Sequence, residues 1–215
     1  DLLQHMTERA ARQQARQRRT AERAEHHQRL SPLGASRNHI LGVTYFDLAD
    51  CYVGGKSERV AGEFLQRTGL RKRVWVTTKS DAHDPEGLER TLRGSLERIR
   101  VDQVDLLLLH WPKKEPTFAE TLGALNEAKA QGLTRTIGLS NFPSAEFREA
   151  QSLSKAMLVT NQVEYHPYLK LSKLLETAKT LGSSITAWSP LAQGAIADDA
   201  TLIDIGQAHG KTPGQ

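Results

Sequence analysis

Six short runs rich in Val, Ile, Thr and Leu alternate with longer amphipathic segments, and this alternation constrains the fold more than anything else in the sequence. The runs fall at residues 43–46, 74–78, 104–109, 136–139, 159–163 and 184–188. They are mostly apolar on both faces, the pattern of parallel strands buried between layers. The segments between them read as helices. One begins near Ser57, carries Val60, Ala61, Phe64 and Leu65 on one face, and stops at Gly69. The next has Asp84 as N-cap and Pro85 in its first turn, then Leu88, Leu92, Leu96 and Ile99 at three- to four-residue spacing. A third carries Phe118, Leu122 and Leu125, a short fourth opens near Pro143, and a fifth shows Leu171, Leu174, Leu175 and Ala178 before Gly182.

Strand and helix repeated in this way lead to a parallel sheet with right-handed crossovers, either doubly wound or closed as a barrel. The polar residues decide between them. Asp47, Lys79, His110 and Ser140-Asn141 each stand where an apolar run stops, and Tyr52 follows Asp47 by five residues. In an open doubly wound sheet ligand groups gather at one switch point beside a Gly-rich turn, and no G-x-G-x-x-G follows any run here. Residues delivered by many strands to one face are what a (β/α)8 TIM barrel provides. The expectation is therefore an α/β barrel.

The gathered groups suit proton transfer. A phenol is a weak acid, with a free pKa of about 10. An ammonium such as Lys79, held by Asp47, would stabilise negative charge on the Tyr52 oxygen and allow the phenol to protonate a carbonyl oxygen. His110 can orient that carbonyl or share in the relay. Each residue also has a structural alternative: Tyr52 as rim packing, Lys79 as a solvated charge, Asp47 as a strand-end cap, His110 as a partner for a backbone carbonyl.

Size and composition bound the rest. With 215 residues and 38% hydrophobic content, the chain can bury a substantial core. No run approaches membrane-spanning length, and no apolar stretch backs the basic N-terminal residues. The single cysteine, Cys51, excludes an intrachain disulfide and a multi-cysteine metal site and suits a reducing cytoplasm, so no metal is expected. Residues 1–31 hold seven Arg against four acids, which is most of the net charge of +4. This extension reads either as a solvated polar segment or as a phosphate-binding arm; nucleic acid is not the expected partner of the remainder. The division expected is a basic extension, 1–31, and a barrel, 32–215.

Taken together, the motifs resemble those of the aldo-keto reductase family. The matching residues are Tyr45-Phe46-Asp47-Leu48-Ala49-Asp50-Cys51-Tyr52, Thr77-Thr78-Lys79, and Asp105-Leu106-Leu107-Leu108-Leu109-His110-Trp111-Pro112. Further along come Ile137-Gly138-Leu139-Ser140-Asn141-Phe142, Asn161-Gln162-Val163-Glu164-Tyr165-His166-Pro167 and Ala187-Trp188-Ser189-Pro190-Leu191. Within the family the chain looks most similar to the 2,5-diketo-gluconate reductase branch.

The resemblance implies an oxidoreductase that uses NADPH to reduce an aldehyde or ketone. It implies Tyr52 as proton donor, Lys79 and Asp47 as its supporting pair, and His110 as the residue that orients the substrate. Ser140, Asn141 and Gln162 match the side chains that hold the nicotinamide carboxamide, and Trp188 the aromatic that stacks on the ring. Ser189 and Leu191 fall where the loop meets the pyrophosphate, and Trp111 at the substrate pocket. The alternative from another class is a nonenzymatic barrel relative acting as a binding or regulatory module.

Two departures from the family pattern are expected to matter. Residues 210–215 resemble the loop after the helix that follows strand seven, so the eighth strand and the basic segment for the 2′-phosphate of NADP are expected to be absent, with an impaired cofactor site. Only seven residues separate Pro32-Leu33-Gly34 from Gly42, too few for a helix, so the first βα unit is expected to be disrupted.

Overall fold

The computed structural model describes residues 42–113 and 115–215. The basic extension and the Pro32-Leu33-Gly34 segment lie outside the described residues. Among the described residues, six strands and six α-helices follow one another. They are β1 Tyr45–Asp47, α1 Lys56–Thr68, β2 Trp75–Ser80, α2 Pro85–Ile99, β3 Val104–Leu109, α3 Phe118–Ala130, β4 Thr134–Ser140, α4 Ser144–Leu153, β5 Leu158–Glu164, α5 Ser172–Thr180, β6 Ser184–Trp188 and α6 Ala200–Ala208. Single 3-10 segments at Leu70–Arg73 and Ala192–Asp198 precede β2 and α6.

All pairings are parallel and the strand order is the chain order, β1 to β6. Consecutive order with a helix in each of the five crossovers is the winding of a barrel wall, not of a doubly wound sheet, whose order reverses at a switch point. The curvature is visible in one contact: Gln162 on β5 donates from Nε2 to Asp47 Oδ2 on β1 at 2.9 Å. Four strand spacings would hold these residues roughly 19 Å apart in a flat sheet, so the sheet curls until β1 and β5 face each other. Among the described residues β6 does not pair with β1, and the wall is an open part-barrel of six strands.

Local chemistry explains the elements. Asp84 caps α2 by accepting from the Gly87 amide at 2.7 Å, and Pro85 occupies the first turn. Thr117 and Glu120 form a capping box that opens α3. Gly69 ends α1 at φ 66°, a conformation glycine adopts without a Cβ penalty. Gly62 serves packing instead, since a Cβ there would meet the Arg98 carbonyl oxygen at 2.4 Å where α1 crosses the end of α2.

The main core lies between sheet and helices. Leu107 and Leu109 of β3 pack with Leu88, Leu92, Leu125 and Phe147. Side chains on β2 alternate accordingly. Thr78 and Ser80 point outward, bonding Glu58 on α1 at 2.6 Å and Thr91 on α2 at 2.8 Å. Thr77 and Lys79 point inward, toward Tyr45 and Asp47 respectively. The inner face of β2 therefore presents Lys79, around which the polar cluster forms.

Candidate active site

Lys79 is the centre of the inward cluster. Its side chain is 1% exposed, and Nζ donates to Asp47 Oδ1 at 2.6 Å, to the Leu48 carbonyl at 3.0 Å and to the Tyr52 hydroxyl at 3.2 Å. These three bonds use all three ammonium hydrogens, and a buried polar group without such partners would be costly. Asp47 sits at the last residue of β1 and its second oxygen is held by Gln162. Tyr52 is brought back toward the sheet by successive turns, Tyr52 N to Ala49 O at 3.2 Å and Gly55 N to Tyr52 O at 3.1 Å. Its ring edge meets His110, with centroids 6.0 Å apart.

A cavity of about 510 Å³ opens above this cluster, lined by Tyr52, His110, Trp111, Ser140, Asn141, Gln162, Trp188 and Ser189. A hollow of similar size along α2, about 550 Å³, is a shallow strip of charged helix surface that includes Glu86, Arg90 and Glu97, with no convergent chemistry. The structure thus brings ten of the eleven sequence-derived residues to one place, Asp47 and Lys79 forming the floor. Leu191 stands apart, 47% exposed and not lining the cavity.

Asn141 and Ser189 leave β4 and β6 at φ 66° and 51°. Left-handed backbone costs a non-glycine residue roughly 1–2 kcal/mol, least for Asn. At Asn141 the conformation accompanies a fully engaged side chain: Nδ2 donates to the His110 carbonyl at 2.9 Å and to Ser140 Oγ at 3.0 Å, while Oδ1 accepts from the Trp188 indole at 2.9 Å. Asn141 therefore braces the wall, tying β3, β4 and β6 together. The Ser140 hydroxyl hydrogen and Gln162 Oε1 remain for a ligand. One donor and one acceptor are what a primary carboxamide requires, so the residues fit a nicotinamide.

Two neighbours of the cluster are not evident from sequence. Asp81 Oδ1 lies 3.3 Å from His110 Nδ1, and Cys51 Sγ lies 3.7 Å from the same nitrogen. Their signal is positional: Cys51 directly precedes Tyr52, and Asp81 comes two residues after Lys79. Burial, followed by the Asp81 and Asp50 charges, pushes the Cys51 thiol up to about 11. The Asp50 carboxyl is likewise held above the usual carboxylate range, by burial first and then by Asp81, and its Oδ1 is buried without a hydrogen-bond partner. Behind the pocket, Glu58 is fully buried and bonds both Thr78 and, at 2.6 Å, Arg98. His83 is also buried; both ring nitrogens lack a partner, the Trp111 backbone alongside being outside bonding geometry, and burial lowers its affinity for a proton.

A curled parallel sheet that delivers a lysine, a tyrosine, an acid and a histidine from three successive strand ends to one cavity defines a TIM-barrel protein with its polar site at the C-terminal strand ends. The Aldo/keto reductase family profile matches residues 39–211, and the chain belongs to that family. It is 35% identical over 178 residues to the glyoxal reductase of Bacillus subtilis strain 168, an alignment that spans 81% of this chain and 63% of that relative. Among solved structures it is similar to a candidate 2,5-diketo-D-gluconic acid reductase B, with 41% identity, a TM-score of 0.79, and coverage of 86% of this chain and 64% of the other. It is similar also to an aldo/keto reductase of Klebsiella pneumoniae in complex with NADP and acetate, with 30% identity, a TM-score of 0.72, and coverage of 80% and 63%. The chain thus spans less than two thirds of the length of these proteins. No helix among the described residues is long and apolar enough to cross a membrane.

Proposed function

We propose that the protein is a cytoplasmic oxidoreductase that reduces small aldehydes or ketones to alcohols, with NADPH as hydride donor. The observation that carries this reading is the buried Lys79 ammonium, which bonds the Tyr52 hydroxyl and Asp47 at once on the floor of the cavity. Similarity to a glyoxal reductase suggests short dicarbonyls as substrates, and the complex of the Klebsiella relative supports the dinucleotide.

When bound, the reduced nicotinamide supplies the hydride. Tyr52 holds the proton that the carbonyl oxygen gains, at its phenolic oxygen. As that proton leaves, Lys79 stabilises the negative charge left on the oxygen, and Asp47 keeps Lys79 in place. His110, against the Tyr52 ring, orients the carbonyl, and Trp111 forms the open side of the substrate space. Ser140 and Gln162 hold the carboxamide, while Trp188, fixed through its indole nitrogen by Asn141, offers its ring face for stacking. Ser189 and Leu191 border the pyrophosphate path.

The test compares wild type with Tyr52→Phe in NADPH-dependent reduction of glyoxal. Loss of a positioned general acid lowers kcat by roughly 10²–10⁴-fold, while NADPH binding, followed by quenching of protein fluorescence, is expected to stay unchanged. Equal turnover by the two proteins would remove Tyr52 as proton donor. Absence of NADPH binding by the wild type would favour a nonenzymatic module.

A further inference from the structure

We propose that Cys51, Asp81 and His110 form a binding site for a soft divalent cation, zinc foremost, in the wall of the cavity. The three side chains come from three strand exits: the loop after β1, the residue after β2 and the residue after β3. His110 Nδ1 lies 3.7 Å from Cys51 Sγ and 3.3 Å from Asp81 Oδ1, and the three ligand atoms lie within 4.8 Å of one another. A tetrahedral zinc ion has bonds of about 2.0–2.1 Å to nitrogen and oxygen and about 2.3 Å to sulfur, which sets the N···O edge at about 3.3 Å and the S···N edge at about 3.6 Å. Two edges of the coordination polyhedron therefore already stand at the required length. The sulfur-to-carboxylate edge can close by a rotation of Asp81, whose side chain is 44% exposed.

The surroundings hold the Asp50 and Asp81 carboxyls together with the Lys113 ammonium, which bonds the Asp81 carbonyl at 2.9 Å. Asp50, Cys51 and Asp81 also border a second hollow of about 420 Å³, and Asp50 Oδ1 is buried without a hydrogen-bond partner. Of the two arginines on this hollow, Arg98 is engaged by Glu58 at 2.6 Å and Arg90 is exposed on α2. A thiol, an imidazole and a carboxylate are ligands that zinc accepts, and three protein ligands leave the fourth position open to water. Binding releases the thiol proton to solvent, and a cation on Nδ1 leaves the ring proton of His110 on Nε2. The site shares His110 with the proposed reductase, but binding needs neither NADPH nor substrate, so its failure is distinguishable from failure of that reading.

Cobalt(II) added to the untagged, reduced chain, with zinc as competitor, tests the proposal. One equivalent of Co²⁺ is expected to produce a thiolate-to-cobalt charge-transfer band that zinc abolishes. Cys51→Ser is expected to remove the band, and Asp81→Asn and His110→Gln each to weaken Co²⁺ binding about tenfold or more. Cys51 and Asp81 lie at the solvent boundary, and circular dichroism of their variants is expected to match wild type. The other histidines of the chain, including His26 and His27, produce no thiolate band. Absence of the band at saturating Co²⁺ would overturn the site. A band whose affinity is unchanged in both Asp81→Asn and His110→Gln would overturn it too, because the metal would then be held by an isolated thiol.

Discussion

Strand β3 buries all six of its residues, whereas β6 buries none. The two sides of the cavity inherit this difference. Lys79 and His110 leave β2 and β3, strands clamped by neighbours and covered by α2 and α3. Trp188 and Ser189 leave β6, whose one partner among the described residues is β5. The groups proposed for proton transfer are thus held by core packing under Lys79 and by the bonds that Lys79 makes. The Trp188 ring proposed to face the nicotinamide rides on the β5–β6 ladder, and its indole is held by one side-chain bond, to Asn141. The cluster proposed for proton transfer is thus held more firmly than the surface proposed for the cofactor.

The largest effect that would break this comparison lies at the Asp47–Lys79 pair. Removing the carboxylate in Asp47→Ala leaves a buried ammonium without its counter-charge and is expected to cost about 3–5 kcal/mol of stability. Lys79→Met removes the buried charge itself and leaves Asp47, 34% exposed and still bonded to Gln162, so its cost is expected to be smaller by about 2 kcal/mol or more. Urea unfolding of the two variants measures the asymmetry. Equal costs would mean that the network does not anchor the floor as its burial suggests.

A packing pair probes the same contrast. Leu107, fully buried in β3, is expected to cost about 2–5 kcal/mol when cut to Ala. Ile185→Ala in β6, where the side chain is only half-buried, is expected to cost about 1 kcal/mol, since less apolar surface returns to water. If the two truncations destabilise alike, β6 is as firmly seated as β3.

The same contrast governed what could be read from the sequence. The run at residues 104–109 coincides with β3 because a continuous buried strand is written in its own residues. Asp84-Pro85 likewise marked the start of α2, since a cap is a local device. The edge run expected at 43–46 forms instead at Tyr45–Asp47, because there register with β2, Tyr45 opposite Trp75, decides the bounds. The candidate residues were legible from their place at or near strand exits, and the structure gathers ten of the eleven around one cavity. Their partners were not legible: Gln162 and Asp47 are 115 residues apart in sequence, and only curvature of the sheet makes them neighbours. Asn141 shows the same limit, for its type suggests a ligand for an amide while its bonds are spent on His110, Ser140 and Trp188.

On the softer wall, Trp188→Phe keeps an aromatic face and deletes the bond to Asn141. The lost hydrogen bond, worth about 0.5–1.5 kcal/mol, is expected to weaken NADPH binding by about 2- to 10-fold, measured by fluorescence quenching through the remaining tryptophans. A change near zero would show that stacking needs no such brace, and a much larger one that Asn141 itself collapses.

The smallest effect concerns the exception on the firm side, the buried and unpartnered His83. Burial favours its neutral ring, so the folded chain binds a proton there less readily than the unfolded chain, whose histidine titrates near pH 6.5. The sign follows: the contribution is fully present above about pH 6.5 and drains away as the pH falls, until the folded state itself takes up the proton. In His83→Leu this drain is absent, and the variant avoids the cost of burying two ring nitrogens without partners. Its urea midpoint is therefore expected to fall less than that of wild type between pH 7 and pH 5. Parallel profiles would mean that His83 finds a proton acceptor when charged, and that the firm side of the pocket accommodates a charge at the exit of β2.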